Sequence, residues 1–163
     1  MSSLPIRERI IRKIAARTNA GRQLPTYDER DLPITTIAEG DDSASEGLYG
    51  LTNVTTTIAI VRSIRISGIK DDNWLTELNS ALAQLIAEVF AGGDTLDGLA
   101  QGMEYVSGAV GPLVEGGLGS DVAVTVNVRY SWVHGNPYSQ DADSAFTDLS
   151  DDEESDDETE EED

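Results

Sequence analysis

Residues able to do chemistry are few and scattered in this chain. It has one histidine and no cysteine, and no serine sits in a recognisable nucleophile motif, whereas acid-base or nucleophilic catalysis needs groups that converge. His134 follows an alternating apolar stretch and precedes Gly135, the setting of a solvent-exposed histidine at a strand end. Asp28 and Asp31 could form an acid/base couple, but a chain with 31 acidic residues supplies such pairs by composition. Gly116-Gly117-Leu118-Gly119-Ser120-Asp121 matches one unit of a calcium-binding glycine-aspartate repeat. That architecture needs stacked units, and no period recurs. Asp94 and Asp97, with Gly98, fall short of EF-hand ligand spacing. The expectation is a non-enzyme with no catalytic residue, no metal site and no cofactor.

Charge is distributed unevenly. The 163 residues carry a formal net charge of -20, yet residues 141–163 hold fourteen acids and no Lys or Arg, leaving the body near -6 from seventeen acids and eleven bases. Domain organisation therefore reads as a folded body over residues 1–140 and an acidic tail over 141–163 expected to be disordered. Within the body, nine of eleven bases are Arg and six lie by Arg22, so the chain is basic at its start and acidic at its end. Such polarity favours head-to-tail contacts between copies, beside the plainer reading of a solvated helix face. Scarce Lys and abundant acids suit the proteins of salt-loving microbes, where 1 M salt screens charge within about 3 Å; an acidic mesophilic protein has a similar composition. The overall charge disfavours specific DNA binding. No apolar run is long enough to span a membrane and no signal-peptide core is visible, so a protein used without export is expected.

The elements that position these residues follow from periodicity. Ile6, Ile10, Ile11 and Ile14 form one face of a helix from Ile6 to about Arg17, with Arg7, Arg9 and Arg12 among the bases around it. After Gly21, Pro25 and Pro33 flank an acidic turn, and a short strand is predicted over Ile34 to Glu39. Residues 40–50, with Gly40, Asp41, Asp42, Gly47 and Gly50, read as a projecting loop. Val54 to Ile66 alternates as a long strand whose apolar face is interrupted by Arg62. That guanidinium must pair, or reach solvent at a sheet edge, or serve a subunit interface or lumen. Asp71 or Asp72 is expected to cap a core helix running to about Phe90 and ended by Gly92-Gly93. Gln101 to Val110 is a glycine-rich strand candidate, and Val122 to Trp132 alternates as the last strand. The fold class is α+β, a mainly antiparallel sheet of four to five strands packed against two helices in the order α-β-β-α-β-β.

With these elements in order, the chain resembles the tail terminator family of long-tailed phages, the family of minor tail protein U. The resemblance spans about residues 6 to 133. It rests on the first helix, Gly21-Arg22, Asp28-Glu29 followed by Asp31-Leu32-Pro33 at the first strand, the acidic loop from Gly40 to Gly47, the long strand, the Trp-bearing second helix and the closing Val128-Arg129-Tyr130. It implies a virion protein that forms a hexameric ring on the finished tail tube, and the composition adds the expectation that the virus has a halophilic host. The ring ends tube polymerisation and offers a surface to the head-side connector. The implied partners are other copies of the chain, the major tail tube protein and a connector or neck protein, with DNA passing through the lumen unbound and no membrane involved. Its place would be the tail at the head-tail junction, after assembly in host cytoplasm. Contacts to subunits or partners are expected from Arg7, Arg9, Arg12, Arg22, Asp28, Asp31, Asp41, Asp42, Arg62 and Arg65. A neck stopper or another tail-completion protein is the nearest alternative. An acidic histone-binding chaperone or DNA mimic, working through residues 141–163, is the alternative of another class.

Overall fold

A computed structural model describes residues 4–22, 31–67, 73–112 and 119–140. Element order is α1 (Ile6–Thr18), β1 (Ile34–Glu46), β2 (Leu51–Arg65), α2 (Asn73–Val89), β3 (Gly102–Val110) and β4 (Gly119–Val133). The class is α+β, with both helices packed on one face of a four-stranded antiparallel sheet in the order β1-β2-β4-β3.

Alternation in the two central strands builds the core. β2 and β4 pair without a break from Leu51 opposite Val133 to Arg65 opposite Gly119. Residues directly opposite share a face, so Ile58 and Ile60 join Val122, Val124, Val126, Val128 and Tyr130 beneath the helices, all fully buried. Each such aliphatic side chain contributes about 1.5–3 kcal/mol by leaving water. From the helices come Ile6, Ile10, Ile11 and Ile14 of α1 and Leu78, Leu85 and Val89 of α2, buried at helical spacing.

Helix ends are satisfied by long-range partners. No side chain caps the start of α1, but the Ile6 amide donates to the Pro137 carbonyl at 3.0 Å, which draws the segment after β4 back onto the helix. At its other end Asn19 takes the left-handed conformation (φ 51°) that asparagine tolerates. Past α2, Gly92 (φ 80°) and Gly93 (φ 95°) turn the chain as expected. Arg17 then donates to the carbonyls of Val89 (3.0 Å) and Gly93 (2.8 Å), satisfying acceptors that the end of α2 leaves open. The connection beyond adds Leu96, Leu99 and Ala100 to the core.

One boundary differs from the sequence reading. Residues 40–46 are strand, not loop: β1 continues to Glu46, and only Gly47 to Gly50 form the turn. Gly40 and Asp41 make a bulge, after which Asp42 lies opposite Thr56 and Glu46 opposite Thr52. The polar stretch escaped notice because every residue of β1 from Ala38 onward is exposed, so no buried face imposes alternation; the β-branched Thr52, Val54, Thr55 and Thr56 of β2 supply the pairing partner instead. Tyr49 (φ 57°) and Gly50 (φ 71°) close the turn with both central residues left-handed, and Leu51 donates to Leu48 O at 3.2 Å. This turn type matches the twist of a two-stranded ribbon. A single bridge also sets Gly21 beside β1: its amide donates to Thr35 O and its carbonyl accepts from Ile37, each at 2.9 Å.

Candidate functional site

The bulge in β1 arranges the charged groups. Before it Glu39 faces the helix side, and the extra residue resets the phase so that Asp42 faces the same way. Two acids thus stand in succession on one face, where Arg7 of α1 meets both. Its guanidinium donates to Glu39 Oε2 (2.7 Å), Asp42 Oδ1 (3.1 Å) and Gly40 O (3.0 Å). Burial works against the Arg7 charge, but Asp42 and Glu39 outweigh it and raise its pKa above the ordinary arginine value. Thr56 Oγ1 donates to Asp42 Oδ1 (2.6 Å) and lies 3.3 Å from the hydroxyl of buried Tyr130, whose pKa burial pushes up.

Arg22 extends the cluster. It donates to Glu39 Oε1 (3.0 Å) and to both Glu8 oxygens (2.8 and 2.7 Å), and Arg12 meets Glu8 one turn along α1 at 2.7 Å. The bond from Arg12, joined by Arg22, holds the Glu8 carboxyl below the usual glutamate range. The chain Arg12, Glu8, Arg22, Glu39, Arg7, Asp42 is therefore one continuous ionic network. It fastens α1, the Gly21 bridge and the bulge of β1 together.

Arg62 stands apart from this network. It lies on the central strand β2, not at a sheet edge, and its side chain keeps 12% of its exposure against 28% for Glu88 of α2. It donates to both Glu88 oxygens, to Thr35 Oγ1 (2.9 Å) and to Thr18 O (3.3 Å), so one side chain ties four elements. The hydrogen bond from Arg62 holds the Glu88 pKa below its ordinary value.

Of the ten predicted contact residues, Arg7, Arg12, Arg22 and Asp42 come together in the network, and Arg62 is engaged by Glu88. Arg9, Asp31, Asp41 and Arg65 are exposed, and among the described residues Arg9 and Arg65 have no ion-pair partner. Asp28 lies outside the described residues, as do Asp71, Asp72 and the Gly116-Gly117-Leu118 run. The acids Glu8, Glu39 and Glu88 escaped the sequence reading. Glu8 could have been found from its four-residue spacing to Arg12; the other two are brought in only by tertiary packing.

Among the described residues, no group of three His, Cys, Asp or Glu is placed to hold a metal. His134 is exposed, and its Nδ1 lies 3.2 Å from Thr52 Oγ1. It borders an open cleft of about 520 Å³ beside the hairpin turn, lined also by Ser45, Glu46, Gly50 and Leu51. A second open groove, about 510 Å³, runs past Arg62, Thr35, Ile64 and Gln84. Asp97 pairs with Lys13, not with Asp94. No described helix is long and apolar enough to cross a membrane.

Among the described residues Leu4, Leu75 and Tyr138 are exposed, and so are two adjacent pairs of large hydrophobic side chains on the sheet. At the turn between β1 and β2, Leu48 and Tyr49 are 77% and 88% exposed. On the outer strand β3, Tyr105 and Val106 are 45% and 48% exposed at a second bulge. Tyr105 lies over Gly108, where a Cβ would come within 2.5 Å of its hydroxyl and 3.2 Å of Leu82 on α2. The sheet face opposite the helices is built at its centre from small and β-branched residues such as Thr57, Ala59, Val61, Ala123 and Thr125, and it also carries Arg65, Glu104, Asp121 and Arg129.

The fold is that of an α+β protein in which an ionic network fastens α1 to β1, with exposed apolar pairs on a hairpin turn and on an edge strand. In comparison with known proteins, the chain matches no family model, and no curated protein sequence matches it.

Proposed function

We propose that this chain is a structural virion protein, a tail terminator that forms a ring on the end of a tail tube, stops its growth and joins it to the head-side connector. The reading comes from the resemblance at Gly21-Arg22 and Asp28 to Pro33 and involves no catalysed reaction. One observation carries it further than resemblance: the β1–β2 hairpin is an arm whose base is fastened by Arg7 and Arg22 and whose tip presents Leu48 and Tyr49 to solvent. A ring that caps a tube needs that combination of a rigid body and projecting contact elements. The ring is expected to be a hexamer, assembled in the host cytoplasm, with DNA passing its lumen without specific contacts.

The test is assembly. Purified protein added to polymerising tail-tube protein of the same virus should shorten the tubes and leave a ring at one end, seen by electron microscopy. Unchanged tube lengths, with the chain monomeric by sedimentation at molar salt, would reject the reading. Capture by the connector but not by the tube would replace it with a neck stopper.

A further inference from the structure

The geometry points to a head-to-tail contact in which the Leu48–Tyr49 tip of one copy seats against the Tyr105–Val106 stretch of β3 on the next. It deepens the ring reading above and rests on it.

The two features lie on different borders of one sheet. The tip ends the β1–β2 hairpin, while β3 is the edge strand farthest from β1. Tyr49 is almost wholly exposed, so the tip does not cover the molecule's own β3. Neither feature satisfies itself: one is a knob on a turn, the other an apolar strip with an open backbone edge.

Charge restricts the choice of partner surface. Copies of a chain at -20 repel one another, so a stable contact between them must form where charge is sparse. Residues 47–51 carry none, and β3 carries only Glu104 in nine residues. The outer edge of β1 is different. Gly21 occupies it at Thr35 and Ile37, and Glu39, Asp41, Asp42 and Glu46 follow, the protection expected of an edge that must stay single. β3 has neither Lys nor Pro and only its bulge, leaving it open to a partner.

Size is consistent with a ring contact. An aromatic side chain buries about 150–250 Å², so one tip gives a small interface of the weak class. Because each copy offers one knob and one strip, the contact is heterologous and repeats around a closed ring, where several weak contacts act together.

The test uses two variants of the full chain, Tyr49→Asp with the strip intact and Val106→Asp with the tip intact, each checked for native circular dichroism. Both positions are exposed; if Val106→Asp fails to fold, Tyr105→Ser replaces it. By light scattering at molar salt, each variant alone should need on the order of tenfold or more protein than the wild type to assemble. Mixed together they can form one knob-to-strip contact and no ring, so NMR spectra at protein concentrations on the order of millimolar should show shifts in the amides of residues 48–51 and 105–107 that neither variant shows alone. Variants that assemble like the wild type, or a mixture without those shifts, overturn this contact while a wild-type ring keeps the terminator reading. A wild type that stays monomeric even with tube protein overturns both.

Discussion

Arg62 on the central strand donates to both carboxylate oxygens of Glu88 on α2, across the layer between sheet and helices. This pair carries a guanidinium through a largely apolar strand face without leaving it unmatched, and Thr35 and Thr18 accept from two further N–H groups. Removal of one partner strands the other in a half-buried site. Arg62→Ala is therefore expected to destabilise the fold by about 2–3 kcal/mol, with Arg62→Lys recovering only part, because an ammonium cannot match both oxygens and Thr35 together. Urea unfolding of Arg62→Ala, Glu88→Gln and the double variant measures the coupling; additive losses would show that the pair contributes nothing.

Acid should loosen the same joint. The Glu88 pKa is lowered from 4.5, chiefly by the Arg62 hydrogen bond, and Glu8 is lowered by Arg12 and Arg22. A carboxylate with a depressed folded-state pKa binds protons more readily when unfolded. Its stabilisation is thus complete above about 4.5 and is lost as pH falls through the lower folded value. Stability of the wild type should fall from pH 5 downward, and Glu88→Gln should flatten that fall in urea titrations taken at successive pH values, while leaving the region above pH 6 parallel to wild type.

The bulge at Gly40 leaves no room for a side chain. A Cβ there would lie 2.6 Å from the Thr57 carbonyl oxygen, a backbone atom that the β1–β2 ladder holds in place. Gly40→Ala should cost about 1–3 kcal/mol and perturb the amide signals of Asp42 and Thr56 in NMR spectra. Gly21→Ala, where nothing lies within 4 Å, should cost much less.

The Gly21 bridge depends on Arg22. With Arg22→Gln the links to Glu39 and Glu8 are lost, at a global cost of under about 1 kcal/mol since the groups are partly exposed. The local effect should be larger: the Ile37 amide, bonded to Gly21 O, should exchange with deuterium several-fold faster, while amides of the β2–β4 ladder keep their rates. High salt should reproduce part of this change in the wild type by screening the exposed members of the network.

A core truncation sets the scale for these effects. Ile58→Ala, at a fully buried position of the central strand, should cost about 2–5 kcal/mol, more than Arg22→Gln and at least as much as Arg62→Ala. Thermal unfolding followed by circular dichroism would rank them.

What the chain determined by itself is the part governed by local periodicity. Alternation along Val122 to Trp132 and Val54 to Ile66, the isoleucine face of α1, the leucine face of α2 and the glycines after it specify two helices and four strands in order, because each buried face imprints its period on the residues. The far half of β1 left no such imprint, since its residues are exposed on both faces and its pairing is supplied by β2 through the backbone. Only tertiary structure decided the fate of the charges. From sequence, Arg7, Arg12 and Arg22 form a basic surface and Arg62 an interruption; packing brings Glu39, Asp42 and Glu88 to them from 17 to 35 residues away. Coulombic partners act through space and carry no period along the chain, so the ionic network, and the apolar tip and edge it leaves for other contacts, emerge only once the sheet and helices are assembled.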